Sequence, residues 1–158
     1  MARQGTIVFP YEELDRDELT ADESFDLMAA TEARFKAYAP YSSFKCGAAI
    51  RTKDGRAVTG WNVENVIYEV LHAEANALGR VEPESRANGL KHVVTIGGLE
   101  GADSEEIAAP CGFCRQNLLE IVRPADNPVV IMAGVRGRVI RVKLKDLLPF
   151  AFYPALLK

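Results

Sequence analysis

The sequence predicts an α/β fold. Short apolar runs lie at 46–52, 93–96, 129–133 and 139–142, each with Gly or Asp close by. Segments of helical period stand between them, and Asp54-Gly55 supplies a hairpin turn. With 158 residues, 48% hydrophobic and 26% charged, the chain suits one globular domain spanning 1–158 with a sizeable core.

In chain order, residues 1–19 are mixed and acidic, without a clear period, and read as a candidate N-terminal extension. Thr20-Ala21-Asp22-Glu23 has the form of a capping box and opens a helix. Phe25, Ala29, Ala33 and Ala37, with Met28, share one face at helical spacing, which predicts the buried side. Pro40 closes that helix. Cys46 to Thr52 reads as a buried strand, and Ala57 to Trp61 returns beyond the turn. A helix begins near His72 and runs through Ala73, Ala75, Ala77 and Leu78. Val93 to Ile96 reads as a short strand ended by Gly97-Gly98, with a polar loop over 99–109. The next helix starts near Cys111 and stops before Pro124. Val129 to Ala133 and Val139 to Val142 flank the Arg136-Gly137 turn, and Leu144 to Leu148 reads as a short terminal helix.

Composition excludes several classes. A net charge of -3 provides no basic field for a nucleic acid. The opening Met-Ala-Arg-Gln-Gly lacks the apolar run of a signal peptide, and no apolar stretch is long enough to span a bilayer. A cytoplasmic location, with no membrane partner, is therefore expected. Of three cysteines, two form a CxxC, which points to metal or redox chemistry before a disulfide framework.

The chemistry gathers in His72-Ala73-Glu74 and Pro110-Cys111-Gly112-Phe113-Cys114. Cys111 and Cys114, at i and i+3, share a helix face, and a helix N-terminus favours their thiolates. A CxxC by itself is half of a structural zinc site or a redox pair. The redox reading lacks thioredoxin-like surroundings, and the structural site lacks a fourth ligand. Cys46 sits in an apolar strand and reads as core. His92 reads as a partly exposed strand-edge histidine, which leaves His72 as third ligand. Alone, His72 reads as a core or boundary histidine and Glu74 as a solvated helix carboxylate; their i, i+2 spacing does not bring them together. Together, however, H-x-E and P-C-x-x-C form the pattern of zinc deaminases: three ligands, an open fourth position and a carboxylate left for proton transfer.

From about Tyr38 to Pro154 the chain resembles the cytidine deaminases, in particular the small homotetrameric class. The resemblance rests on Tyr38-Ala39-Pro40-Tyr41-Ser42-Ser43-Phe44, Gly47-Ala48-Ala49, Lys53-Asp54-Gly55-Arg56 and Gly60-Trp61-Asn62-Val63-Glu64-Asn65. It continues through both zinc motifs, with Arg115-Gln116, to Leu147-Leu148-Pro149-Phe150-Ala151-Phe152. It implies a three-layer α/β/α fold with a mixed sheet of about five strands. It also implies Zn²⁺ on His72, Cys111 and Cys114, with Glu74 as the catalytic proton carrier. Asn62 and Glu64 match the pair that binds the ribose hydroxyls, and Phe44 the aromatic packed on the base. Backbone at Ala73, Pro110 and Cys111 matches the edge that reads the pyrimidine, and Phe152 an aromatic often lent to a neighbouring subunit. Plainer readings stand beside these: Phe44 and Phe152 as core or interface residues, and Asn62-Val63-Glu64 as a strand end.

The implied reaction is hydrolytic deamination of cytidine, 2′-deoxycytidine or both, in pyrimidine salvage, by a homotetramer. Three features depart from the small class. His72 and Ala75 stand where Cys and Arg are usual. One imidazole and two thiolates already neutralise Zn²⁺, so that arginine is less needed, and Arg115 is expected to donate around the ligands. The link 65–71 is one residue shorter and carries Ile67 and Glu69, and the loop 97–106 is unusually acidic. The altered link keeps a deaminase of a modified cytosine nucleoside, of the blasticidin S deaminase kind, as the alternative. A non-catalytic zinc-binding module is the plainest alternative, but it leaves Glu74 unexplained.

Overall fold

The computed structural model describes residues 3–153 and Leu157; Pro154, at the end of the resemblance, lies outside them. Eight strands are formed: β1 Tyr11–Leu14, β2 Phe44–Thr52, β3 Ala57–Trp61, β4 Val63–Glu64, β5 Val70–Leu71, β6 Leu90–Leu99, β7 Val129–Ala133 and β8 Val139–Lys143. The helices are α1 Ala21–Arg34, α2 Ala73–Gly79, α3 Pro83–Asn88 and α4 Gly112–Leu119, with short 3₁₀ turns at Arg16–Glu18 and Leu144–Leu147.

The main sheet has the order β1-β8-β7-β6-β2-β3, and β4 and β5 form a separate two-stranded ladder. It has six strands where about five were expected, because β1 adds to the edge from within residues 1–19. Cross-strand ion pairs hold this acidic strand: Glu12 lies opposite Arg141 and pairs with it at 3.2 Å, and Arg138 reaches Glu13 at 3.4 Å. The sheet is mixed, since β6 and β7 run parallel and the other neighbours antiparallel.

Alternation along the central strands builds two apolar layers. Ala49, Val94 and Ile131 face α1 through Leu27 and Ala30. Ala48, Ile50, Val93 and Val130 face Ala73 and Ala77 of α2 and Leu118 of α4. This is the expected α/β/α sandwich. Two glycines let the helices approach. A Cβ on Gly47 would stand 1.9 Å from the Ala30 carbonyl oxygen, and one on Gly60 2.3 Å from the Ala77 nitrogen.

Some elements depart from the sequence reading. The α1 capping box forms, with Thr20 N–H donating to Glu23 at 2.9 Å and Glu23 N–H to Thr20 Oγ1 at 3.4 Å. Its buried face, however, is Glu23, Asp26, Leu27, Ala30, Ala33 and Arg34, while Phe25 and Met28 are exposed. The buried polar groups have partners. Arg34 donates to the carbonyls of Lys45, Gly98 and Leu99, and Glu23 pairs with Arg141. β6 continues through Gly97-Gly98, which pair with Cys46 and Lys45 of β2. A side chain on Gly97 would strike Cys46 Sγ at 2.7 Å, so glycine here permits close packing instead of ending the strand. The terminal helix is a single 3₁₀ turn, and α3 follows α2 with Pro83 in its first turn. No helix among the described residues is long and apolar enough to cross a membrane.

Candidate active site

The two zinc motifs meet at two helix N-termini. His72 is the N-cap of α2 and Cys111 the N-cap of α4, with Cys114 in the first turn of α4. His72 Nδ1 lies 3.3 Å from Cys111 Sγ and 3.4 Å from Cys114 Sγ. All three donor atoms fall within 4.8 Å of one another, the one such cluster of three or more among the described residues. A tetrahedral zinc with ordinary Zn–N and Zn–S bonds sets nitrogen and sulfur roughly 3.6 Å apart. The spacing therefore fits the ion, and the donors offer three ligands and no fourth. Both helix N-termini add positive potential where thiolates must form.

Glu74, in the first turn of α2, is 8% exposed. It lies close enough to Cys114 for its charge to matter: burial, then Glu74 and Cys111, push the Cys114 thiol far above its ordinary range. Two sulfurs and a carboxylate thus converge with no cationic side chain to balance them. A divalent cation on His72, Cys111 and Cys114 would supply that balance.

A cleft of about 280 Å³ opens beside the ligands. Of the sequence-derived set, Phe44, Asn62, Glu64, His72, Ala73, Glu74 and Cys111 line it. Asn62 is tied to β2 at both ends of its amide: Oδ1 accepts from Cys46 N–H at 2.7 Å, and Nδ2 donates to the Phe44 carbonyl at 2.8 Å. Glu64 accepts from Tyr41 N–H at 2.9 Å, Ser42 N–H at 3.3 Å and the Ser42 hydroxyl at 2.5 Å. These bonds, that of the Ser42 hydroxyl foremost, hold its carboxyl below the ordinary value.

The pattern-level match is decisive beside this geometry. Residues 20–132 match the family described as the cytidine and deoxycytidylate deaminase zinc-binding region. The chain belongs to this deaminase family. A cytidine deaminase of Halalkalibacterium halodurans is 37% identical over 132 residues, covering 83% of this chain and 94% of that protein. One from Mycobacterium tuberculosis is 40% identical over 124 residues, 78% of this chain and 84% of its own length. The crystal structure of a Burkholderia pseudomallei cytidine deaminase superposes with a TM-score of 0.68 at 36% identity, over 85% of this chain and all of that one. The metal for which the His72, Cys111 and Cys114 set is built is Zn²⁺.

Around the deaminase centre, the other expected residues fall at different distances. Pro110 is buried, and its carbonyl accepts from Arg115 Nε at 2.7 Å. Arg115 Nη1 donates to the Leu147 carbonyl, also at 2.7 Å, so the guanidinium pins the chain that carries Cys111. Phe152 is exposed, is not among the residues lining the cleft, and its carbonyl accepts from Gln116. Cys46, read as core, is half-buried and lines the cleft, its thiol pushed up to about 12 by burial and then by Glu74. Ser42, Val70 and Ala109 also line it without having been singled out. Ser42 lay within the Tyr38–Phe44 motif and Val70 within the altered 65–71 link, whereas Ala109 had no signal of its own.

His92 departs most from its reading. It is 3% exposed, and its Nε2 lies 2.7 Å from Asp26, on the α1 side of the sheet and away from the zinc ligands.

Proposed function

We propose that this chain catalyses the zinc-dependent hydrolytic deamination of cytidine, 2′-deoxycytidine or both, giving the uracil nucleoside and ammonia. The observation that carries the reading is Glu74, buried beside three zinc ligands and not one of them. Held by His72, Cys111 and Cys114, zinc would lower the pKa of a water to near 7. Glu74 accepts the proton of that water and delivers it to N3 of the base as C4 becomes tetrahedral. It then takes the proton of the new C4 hydroxyl and passes it to the amino group, which leaves as ammonia while the C4 carbonyl forms. One carboxylate serves as base and then as acid, which requires it to remain off the metal. Phe44 packs on the base, backbone at Ala73 and Pro110 borders the pyrimidine, and Asn62 and Glu64 meet the sugar hydroxyls.

The cleft favours a nucleoside over a nucleotide. Its lining contains two carboxylates, Glu64 and Glu74, and no Lys or Arg. A 5′-phosphate finds no partner there, and the net charge of -3 opposes nucleic acid. Pyrimidine salvage in the cytoplasm is the matching role. We extend the proposal to a homotetramer, supported by Val66, Ile67, Tyr68 and Phe113, all more than half exposed around the cleft-bearing segments. In that assembly Phe152 serves a neighbouring cleft.

The second reading, a modified cytosine nucleoside as substrate, is favoured by Val70, which brings the altered link into the cleft. A blasticidin-S deaminase of Bacillus cereus is 28% identical over 113 residues, below the 37% and 40% of the two curated cytidine deaminases. The test is ammonia release by zinc-loaded protein from cytidine, deoxycytidine, deoxycytidylate and blasticidin S. Release from the free nucleosides, at least about a hundredfold above the nucleotide, is expected. Release from blasticidin S alone establishes the second reading, and no release with zinc bound contradicts both.

A further inference from the structure

The segment 41–44 is held in an arrangement that its own backbone does not favour. Ser43 has φ 57, in the left-handed region, where a residue with a Cβ is strained. The constraint comes from Glu64 and Ser42. Glu64 Oε2 accepts the backbone N–H groups of Tyr41 and Ser42 at 2.9 and 3.3 Å. The Ser42 hydroxyl donates to Glu64 Oε1 at 2.5 Å and accepts the N–H of Phe44 at 3.0 Å. A hydroxyl suits this position because it donates once and still accepts. The Phe44 carbonyl is held in turn by Asn62. The backbone N–H and carbonyl of Phe44 are therefore both held by residues that line the cleft.

We propose that Ser42 is a positioning residue for the deamination: its hydroxyl fixes the orientation of the Glu64 carboxylate toward the sugar and ties it to the backbone of Phe44. The inference rests on the reading under Proposed function that Glu64 meets a sugar hydroxyl. Because Ser42 is itself exposed, replacing it leaves the core untouched.

A purely structural role and a positioning role differ in one respect. If Ser42 acts through Glu64, its loss matters only for ligands that carry the hydroxyl Glu64 receives. The experiment is calorimetric titration of zinc-loaded wild type and Ser42→Ala with uridine and with 2′,3′-dideoxyuridine. Ser42→Ala is expected to weaken uridine about fivefold, the size of a typical net hydrogen bond, as suits an exposed site. Dideoxyuridine is expected to change less than about twofold. Equal weakening of both ligands overturns the proposal and leaves Ser42 a loop-shaping residue, and no weakening of uridine overturns it outright. Wild type that binds neither ligand overturns the nucleoside reading itself and this inference with it.

Discussion

Two clusters of polar groups stand on opposite faces of the same sheet, and they differ in charge balance. On the α1 face, Asp26 is 0% exposed and fully answered. Arg51 donates to both its oxygens at 2.7 Å, and His92 lies 2.7 Å from one of them. On the α2/α4 face, His72, Cys111, Cys114 and Glu74 converge with no cationic side chain among them. Cys46, in the cleft, and Arg51 stand five positions apart along β2, about 17 Å. A buried charge is retained only when paired. The first cluster finds its cation within the chain and serves the fold. The second lacks one, and that imbalance is what marks it as the zinc site.

The largest expected effect breaks the second cluster. Cys114→Ala removes one of three ligands; bound zinc, measured by metal analysis, is expected to fall from one per chain to near zero. Turnover is expected to fall by at least about a thousandfold. Retention of zinc in that variant erases the contrast between the two sites.

A smaller effect breaks the first. Asp26→Ala leaves the half-buried Arg51 and the buried His92 without their carboxylate, and stability to urea is expected to fall by about 3 kcal/mol. Activity per folded molecule is expected to stay within about twofold of wild type, because no zinc ligand is touched. The pH dependence sharpens the comparison. Burial pushes the Asp26 carboxyl up, but hydrogen bonds from His92 and Arg51 outweigh it, and the net direction is below the ordinary 3.8. The Asp26 contribution is thus fully present above about pH 4 and is lost as pH falls through the lower folded-state value. Denaturation followed against pH is expected to show a flattened acid limb in Asp26→Ala. An unchanged limb separates Asp26 from acid stability.

The convergence of His72, Cys111 and Cys114 was legible in the sequence because its signals are local. The H-x-E and P-C-x-x-C spacings each fall on one helix start, and the structure needs only to bring two starts together. The structural cluster was not legible. His92 lies 66 residues from Asp26, and nothing local announces the partner that lets a histidine be buried. The same absence misplaced the buried face of α1, where Phe25 and Met28 outweighed Asp26 and Arg34 on apolarity alone. Arg34 lies against carbonyls that only the β2–β6 pairing brings within reach. β1 escaped notice because Tyr-Glu-Glu-Leu has no alternating apolar face; its ion partners, Arg138 and Arg141, lie more than a hundred residues away. The tight approach at Gly97 likewise depends on Cys46, a neighbour across the sheet.

The central claim is that Glu74 is the proton carrier of a zinc deaminase and not a ligand or a structural carboxylate. Glu74→Gln tests it most directly, with zinc content and ammonia release from cytidine measured on the same sample. One zinc per chain, an unchanged melting temperature and a loss of turnover of about a thousandfold or more are predicted. Turnover within about tenfold of wild type, with zinc still bound, would contradict the claim.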